Sequence, residues 1–171
     1  MGTCQKCGKP TQEEWHKFCP ECFYKQRGRG EPRHKKVRLD DKYLQGGYFR
    51  DDAGHQRPEI YDQEAELAAL ALGNAQPRLT SNQLRRFFNK MRAIEGKLDA
   101  EGDFLAVQGD LYAFKRDVVY AVGRKVVPEE FKTFIDRNVD LAVKDESSFR
   151  RGFIQHFQSV VAWFVYHFRN R

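Results

Sequence analysis

Residues 79–97 read LTSNQLRRFFNKMRAIEGK. Thr80 or Ser81 stands where a helix cap belongs. Leu84, Phe87, Phe88, Met91, Ile94 and Leu98 then recur at the i, i+3, i+4, i+7 spacing of one buried helical face. Arg85, Asn89 and Arg92 line one flank of that face; Arg86, Lys90 and Lys97 line the other. The stretch predicts a helix with a phenylalanine-rich seam between two basic shoulders. Phe87 and Phe88 read as core residues. The shoulders read either as a solvated helix surface or as a surface for an anion.

The same periodicity fills the chain around it. DQEAELAALALG (62–73) has acids in its first turn and a glycine at its end, the polarity of a helix. Residues 104–125 repeat Val107, Leu111, Phe114, Val118 and Val122 at helical spacing. Residues 127–144 place Pro128 in the first turn, where its missing N–H costs nothing, and bury Phe131, Phe134, Ile135 and Val139. Ser147 or Ser148 caps a last helix with Phe149, Phe153, Phe157, Val160, Phe164 and Phe168 inward. The segment before these helices, KYLQGGYFRDDAGHQRPEIY (42–61), reads as turn-rich, with a short hairpin around Gly46–Gly47. The expected fold is all-α, an antiparallel bundle of about five helices with short connections. It occupies residues 43–171, with a core complete without the N-terminal segment.

Charge is unevenly placed along the 171 residues, whose net charge is +6. Residues 1–38 hold ten Lys/Arg and four Asp/Glu, whereas residues 39–171 hold twenty of each. A basic N-terminal segment favours acidic partners such as nucleic acid, and the remainder must rely on local patches. No run of eighteen apolar residues suggests a membrane span, and MGTCQKCGKP has no apolar stretch of the secretory kind, so the expected location is cytoplasmic.

All four cysteines fall in the first 22 residues, as Cys4-x2-Cys7 and Cys19-x2-Cys22 with eleven residues between the pairs. Each CxxC turn lets two thiolates converge on one side of a tetrahedral ion, and the second closes the shell, as in a zinc ribbon. Gly8 eases the first knuckle turn. Two disulfides or four thiols are the alternatives, and a reducing compartment disfavours the disulfides. His16 is a further potential ligand, but four sulfurs already fill the site. Such a closed zinc shell folds a segment and catalyses nothing. The expected ribbon spans residues 1–23. Residues 24–42 then form a flexible basic linker in which Glu31 is the lone acid before Asp40, read either as a phosphate-binding arm or as a solvated tether.

No HExxH, Gly-rich phosphate loop or cysteine outside the metal motif is present, and no constellation supports a reaction class. His156 and His167 read as surface or partly buried histidines on one side of the last helix. Arg124 and Lys125, at the end of a helix, complement its dipole or face an anion equally well. Arg150 and Arg151, near a helix start, lie beside the positive dipole end, a conflict that an anionic partner would relieve.

LTSNQLRRFFNKMRAIE resembles the T-x-x-Q-[IL]-R-x-F helix opening of the Csm-type small subunit of type III-A CRISPR effector complexes. VVYAVGRK is similar to that family's AYxxGR segment, FQSVVAWFVYH to its closing EAxVAYH helix, and YLQGGYFRDDAGHQRPEI to the lead-in of some members. The resemblance covers about residues 43–171; the ribbon and basic arm lie outside it as an added module. Ser159–Val160 replaces the usual Glu-Ala pair, and Asp117 stands where a basic residue is usual. The resemblance implies an all-helical, non-catalytic subunit, stacked in several copies along a complex and lining the groove that holds guide RNA and target RNA. Its partners would be those RNAs, the other effector subunits and further copies of itself, with no membrane. Arg85 and Arg124, and less closely Lys115, fall on the family's basic positions. With Arg86, Lys90, Arg92, Lys125, Arg150 and Arg151 they form the candidate RNA-binding set. A different class of function is also open: a zinc-ribbon adaptor docking nucleic acid or a protein partner.

Overall fold

The structure is a computed structural model, and it describes residues 3–4 and 37–168. The chain divides into two compact units, Met1–Lys35 and Lys36–Arg171. In the second unit, five α-helices follow in order: α1 (Gln63–Gly73), α2 (Ser81–Glu101), α3 (Phe104–Gly123), α4 (Glu129–Ala142) and α5 (Gln155–Phe168). The α5 helix is entered through a π-helical stretch, Ser148–Ile154. Cross-helix pairs at falling and rising residue numbers, Lys97–Asp110 and Lys90–Asp117, Gln108–Val143 and Lys115–Asp140, run α2 antiparallel to α3 and α3 antiparallel to α4. Among the described residues there is no strand, and no helix is long and apolar enough to cross a membrane.

The core is built mainly of phenylalanine. Phe131, Phe134, Phe149, Phe153 and Phe157 are wholly buried, each contributing about 2 kcal/mol of burial. Phe87 packs on Phe131 at 4.8 Å between ring centroids, and Phe88 meets Phe157 edge-on at 5.3 Å. Both behave as the core residues the periodicity implies. The α1 helix solves a different problem, using Ala65, Ala68, Ala69 and Leu72 to approach α5 closely. At Gly73 a Cβ would lie 2.1 Å from the Phe168 ring, so only glycine fits.

Three local expectations are corrected. The hairpin turn lies at 51–54, not at Gly46–Gly47. Phe49 bridges Gln56, and the Asp51 carboxylate takes both the backbone N–H (3.0 Å) and ring Nδ1 (2.7 Å) of His55, a local cap the glycine pair cannot supply. The last helix is capped by Asp145, whose carboxylate accepts from the Ser148 N–H at 2.7 Å and the Ser148 hydroxyl at 2.9 Å, rather than by a serine. His156, expected near the surface, is fully buried. Its Nδ1 donates to the Ile60 carbonyl at 2.6 Å, leaving Nε2 to accept the Tyr43 hydroxyl at 2.5 Å.

Candidate nucleic-acid interface

The α2 helix opens with a capping box. The Thr80 hydroxyl accepts the Gln83 backbone N–H at 3.2 Å, and Gln83 Oε1 accepts the Thr80 N–H at 2.9 Å. The amide nitrogen of the same side chain donates to the Val126 carbonyl at 3.1 Å. Glutamate would close the box equally well but has no donor for that carbonyl. One glutamine therefore starts α2 and also holds the turn after α3 against it.

Two ion pairs lace the solvent side of the α2–α3 seam, Lys97 to Asp110 at 2.7 Å and Lys90 to Asp117 at 3.5 Å. Helical spacing puts Arg86 next on the α2 row, after Lys97, Ala93 and Lys90, and puts Tyr120, Ala121 and Arg124 next on the α3 row. No acid stands on this rung. None occurs between Leu67 and Ile94, nor between Val118 and Pro128. The pairing stops a turn short of the end of the seam. Arg86, Arg124 and Lys125 are exposed there, Arg85 is exposed on the other flank of the same turn of α2, and none of the four makes an ion pair among the described residues. The Arg124 guanidinium lies over the Tyr120 ring at 5.7 Å.

Lys125 is held in an unusual backbone conformation. Its φ of 56° belongs to the left-handed region where glycine is usual. The Val126 N–H reaches back to Ala121 O at 3.0 Å and the Lys125 N–H to Val122 O at 2.8 Å, the paired bonds of a Schellman helix end. A lysine in the position of the closing glycine places an exposed cation beside the carbonyl end of α3, the negative end of its dipole. Arg78 joins the same end of the bundle. It is exposed, two residues before the Thr80 cap, and belongs to no helical pattern, so periodicity gives no sign of it.

The other candidates have partners within the chain. Lys90 faces Asp117, and Arg92 faces Glu95 one turn on. Lys115 sits between Asp140 at 2.7 Å and Asp136 at 3.5 Å. Partial burial there works against its charge, but the bond from Asp140 and the nearness of Asp136 prevail and hold its pKa above the ordinary lysine value. Arg150 is clasped by Glu146 at 2.7 Å and by Asp99 of α2, so the anionic partner its position asks for comes from this chain. Arg151 donates to the Gly54 carbonyl at 2.7 Å and covers the Phe49 ring at 5.7 Å, closing the 51–54 turn onto the π-helical stretch. The nine candidates thus separate into four open cations near the start of α2 and the end of α3, three of them at the end of the α2–α3 seam and Arg85 on the other flank of α2, and five engaged ones.

Residues 56–169 match the family described as Csm2 Type III-A. The chain belongs to the Csm2 type III-A family. The Csm2 match takes in all five helices and the whole α2–α3 seam. It starts at Gln56 rather than Tyr43, after the 51–54 turn, and leaves the four cysteines and the basic arm to its N-terminal side. Membership makes the chain a small subunit of a type III-A CRISPR effector. No curated protein and no solved structure matches the chain.

Of Cys4, Cys7, Cys19 and Cys22, Cys4 is buried and the other three lie outside the described residues, as does the basic arm up to Lys36. Among the described residues no cluster of His, Cys, Asp or Glu could hold a metal ion.

Proposed function

We propose that this Csm2-family chain works in a type III-A CRISPR effector by laying the open end of its α2–α3 seam along the ribose-phosphate backbone of guide RNA or target RNA. The observation that carries this is the missing rung: two ion pairs along the seam, then Arg86, Arg124 and Lys125 exposed, with Arg85 on the other flank of α2 and no carboxylate answering any of the four. Point charges on rigid helices track phosphates whatever the bases are, and the sequence is read by pairing between guide and target. Further copies of the chain and the other effector subunits are its protein partners in this reading. The groove-lining role follows from several copies set along one RNA.

Binding of the full-length chain to two unrelated single-stranded RNAs of equal length, at about 50 and 200 mM salt, tests it. Both should bind alike, and affinity should fall with a log–log salt slope near −3, as about four phosphate contacts to a single strand require. Replacing Arg85, Arg86, Arg124 and Lys125 by Ala should flatten the slope and weaken both complexes at least tenfold. Binding that survives those changes but disappears on removing residues 1–38 would instead make the chain a zinc-ribbon adaptor.

We also propose a structural zinc ion on Cys4, Cys7, Cys19 and Cys22. Support comes from the paired CxxC spacing and from sulfur donors that complete a tetrahedral shell. Elemental analysis of purified protein should give one zinc per chain, lost in Cys7→Ser, while the bundle melts unchanged.

A further inference from the structure

Tyr120 is two-thirds exposed, at 66%, on the α3 row that carries Arg124 and faces the Arg86 row of α2. A solvent-facing tyrosine on a helix is ordinary taken singly. Its surroundings here are not. Among the described residues it is the one exposed tyrosine with a cation over its ring, the Arg124 guanidinium 5.7 Å away. Tyr166, more exposed at 74%, rests its edge against Trp163 at 5.7 Å and has no cation over it. Tyr112 lies two turns back along α3, beyond the open cations and toward the paired part of the seam.

The guanidinium lies over the Tyr120 ring, and two-thirds of the side chain stays open to solvent. A cationic surface beside an exposed aromatic ring is the arrangement that holds single-stranded nucleic acid: the cations take the phosphates and the ring takes a base. A base within a duplex already has its neighbours on both faces and gains nothing from the ring. We infer that Tyr120 is a stacking platform for an unpaired nucleobase, so that this surface selects single-stranded RNA over duplex. The inference rests on the RNA-backbone reading of the same patch and adds a base-dependent part to it, sequence-tolerant because every base has a π-face. Arg124 serves both parts, reaching phosphate with its N–H groups while backing the ring.

The test uses the full-length chain and three probes of equal length: a single-stranded RNA, the same strand with its bases removed, and its duplex. Tyr120→Leu should weaken binding of the single strand about tenfold and leave the abasic strand and duplex unchanged, and Tyr120→Phe should keep the wild-type affinity on all three. Salt slopes should be the same for wild type and Tyr120→Leu, since no cation is removed. If Tyr120→Leu binds the single strand like wild type, stacking is wrong and the backbone reading stands. If wild type binds none of the probes, both fall. If Tyr120→Leu instead changes sedimentation of the RNA-free protein, the ring belongs to a contact between copies and the stacking role is overturned. The exposed position makes a folding defect unexpected, and a thermal melt of each variant checks it.

Discussion

Lys125 shows how one residue can serve function against stability. A non-glycine side chain at a φ of 56° meets its own carbonyl and costs about 1 kcal/mol relative to glycine. Strain of this kind persists where its surroundings fix it, and here two backbone bonds of the α3 terminus do so. Replacing Lys125 by Gly should therefore raise stability in urea melts by up to about 1 kcal/mol. The same change should weaken RNA binding and lower the salt slope by about 0.7, the contribution of one phosphate contact on a single strand. Opposite signs in the two measurements would mark the lysine as kept for its charge. A loss of stability would mean that the left-handed position costs this lysine nothing. Gln83 works on the same scale without any conflict, because its oxygen serves the cap and its nitrogen serves the Val126 carbonyl.

At the level of elements, two glycines in helical segments are set for opposite purposes. Gly152, in the π-helical entry to α5, faces the Tyr48 ring so closely that a Cβ would lie 2.2 Å from it. That ring cannot swing away, because its hydroxyl is anchored on the Asn138 side chain at 2.7 Å. Gly96, late in α2, meets nothing within 4 Å. The usual helix-interior gain from Gly to Ala, about 1 kcal/mol, should appear at Gly96. Gly152→Ala should instead cost about 1–3 kcal/mol as an overpacked contact. Parallel denaturation of the two variants decides it; equal stabilisation of both would show that Tyr48 yields. The existence and order of the five helices were legible in the sequence because each carries its own apolar stripe, as Phe131, Phe134, Ile135 and Val139 do in α4. Their joints were less legible. The Asp145 cap competes with two adjacent serines of equal propensity, and the 51–54 turn is set by the reach of Asp51 to His55 rather than by the glycines nearby.

Across the whole molecule, the limit of sequence reading is long-range pairing. The shoulder residues of α2 look alike in one dimension. Lys90 is answered by Asp117 of α3 and Arg86 is not, a distinction that exists only once the helices are side by side. Arg150 meets Asp99 across 51 residues of chain in the same way. The buried polar network is the strongest case. Tyr43 and Tyr48 of the lead-in, Asn138 of α4, His156 of α5 and the Ile60 carbonyl form one chain of hydrogen bonds inside a phenylalanine core. Every polar group on it is satisfied with His156 neutral, and a proton on Nε2 would take away the acceptor of the Tyr43 hydroxyl and set two donors, this N–H and the Asn138 amide at 3.2 Å, on one oxygen. Burial is the largest influence on the imidazole, pulling its pKa down to about 4; the bond to Ile60 opposes this and Arg57 adds to it. The unfolded chain binds this proton near pH 6.5, so the folded state is at its full stability above that value and loses stability as pH falls toward 4. The shift corresponds to about 3 kcal/mol over that window. His156→Gln keeps an acceptor for Tyr43 and a donor for Ile60 but cannot titrate. Urea melts at a series of pH values should therefore show the wild type declining below about pH 6.5 relative to this variant, with the gap closing by about 3 kcal/mol near pH 4. Two curves that run parallel through the acid range would place the acid sensitivity elsewhere, in the exposed carboxylate pairs of the seam.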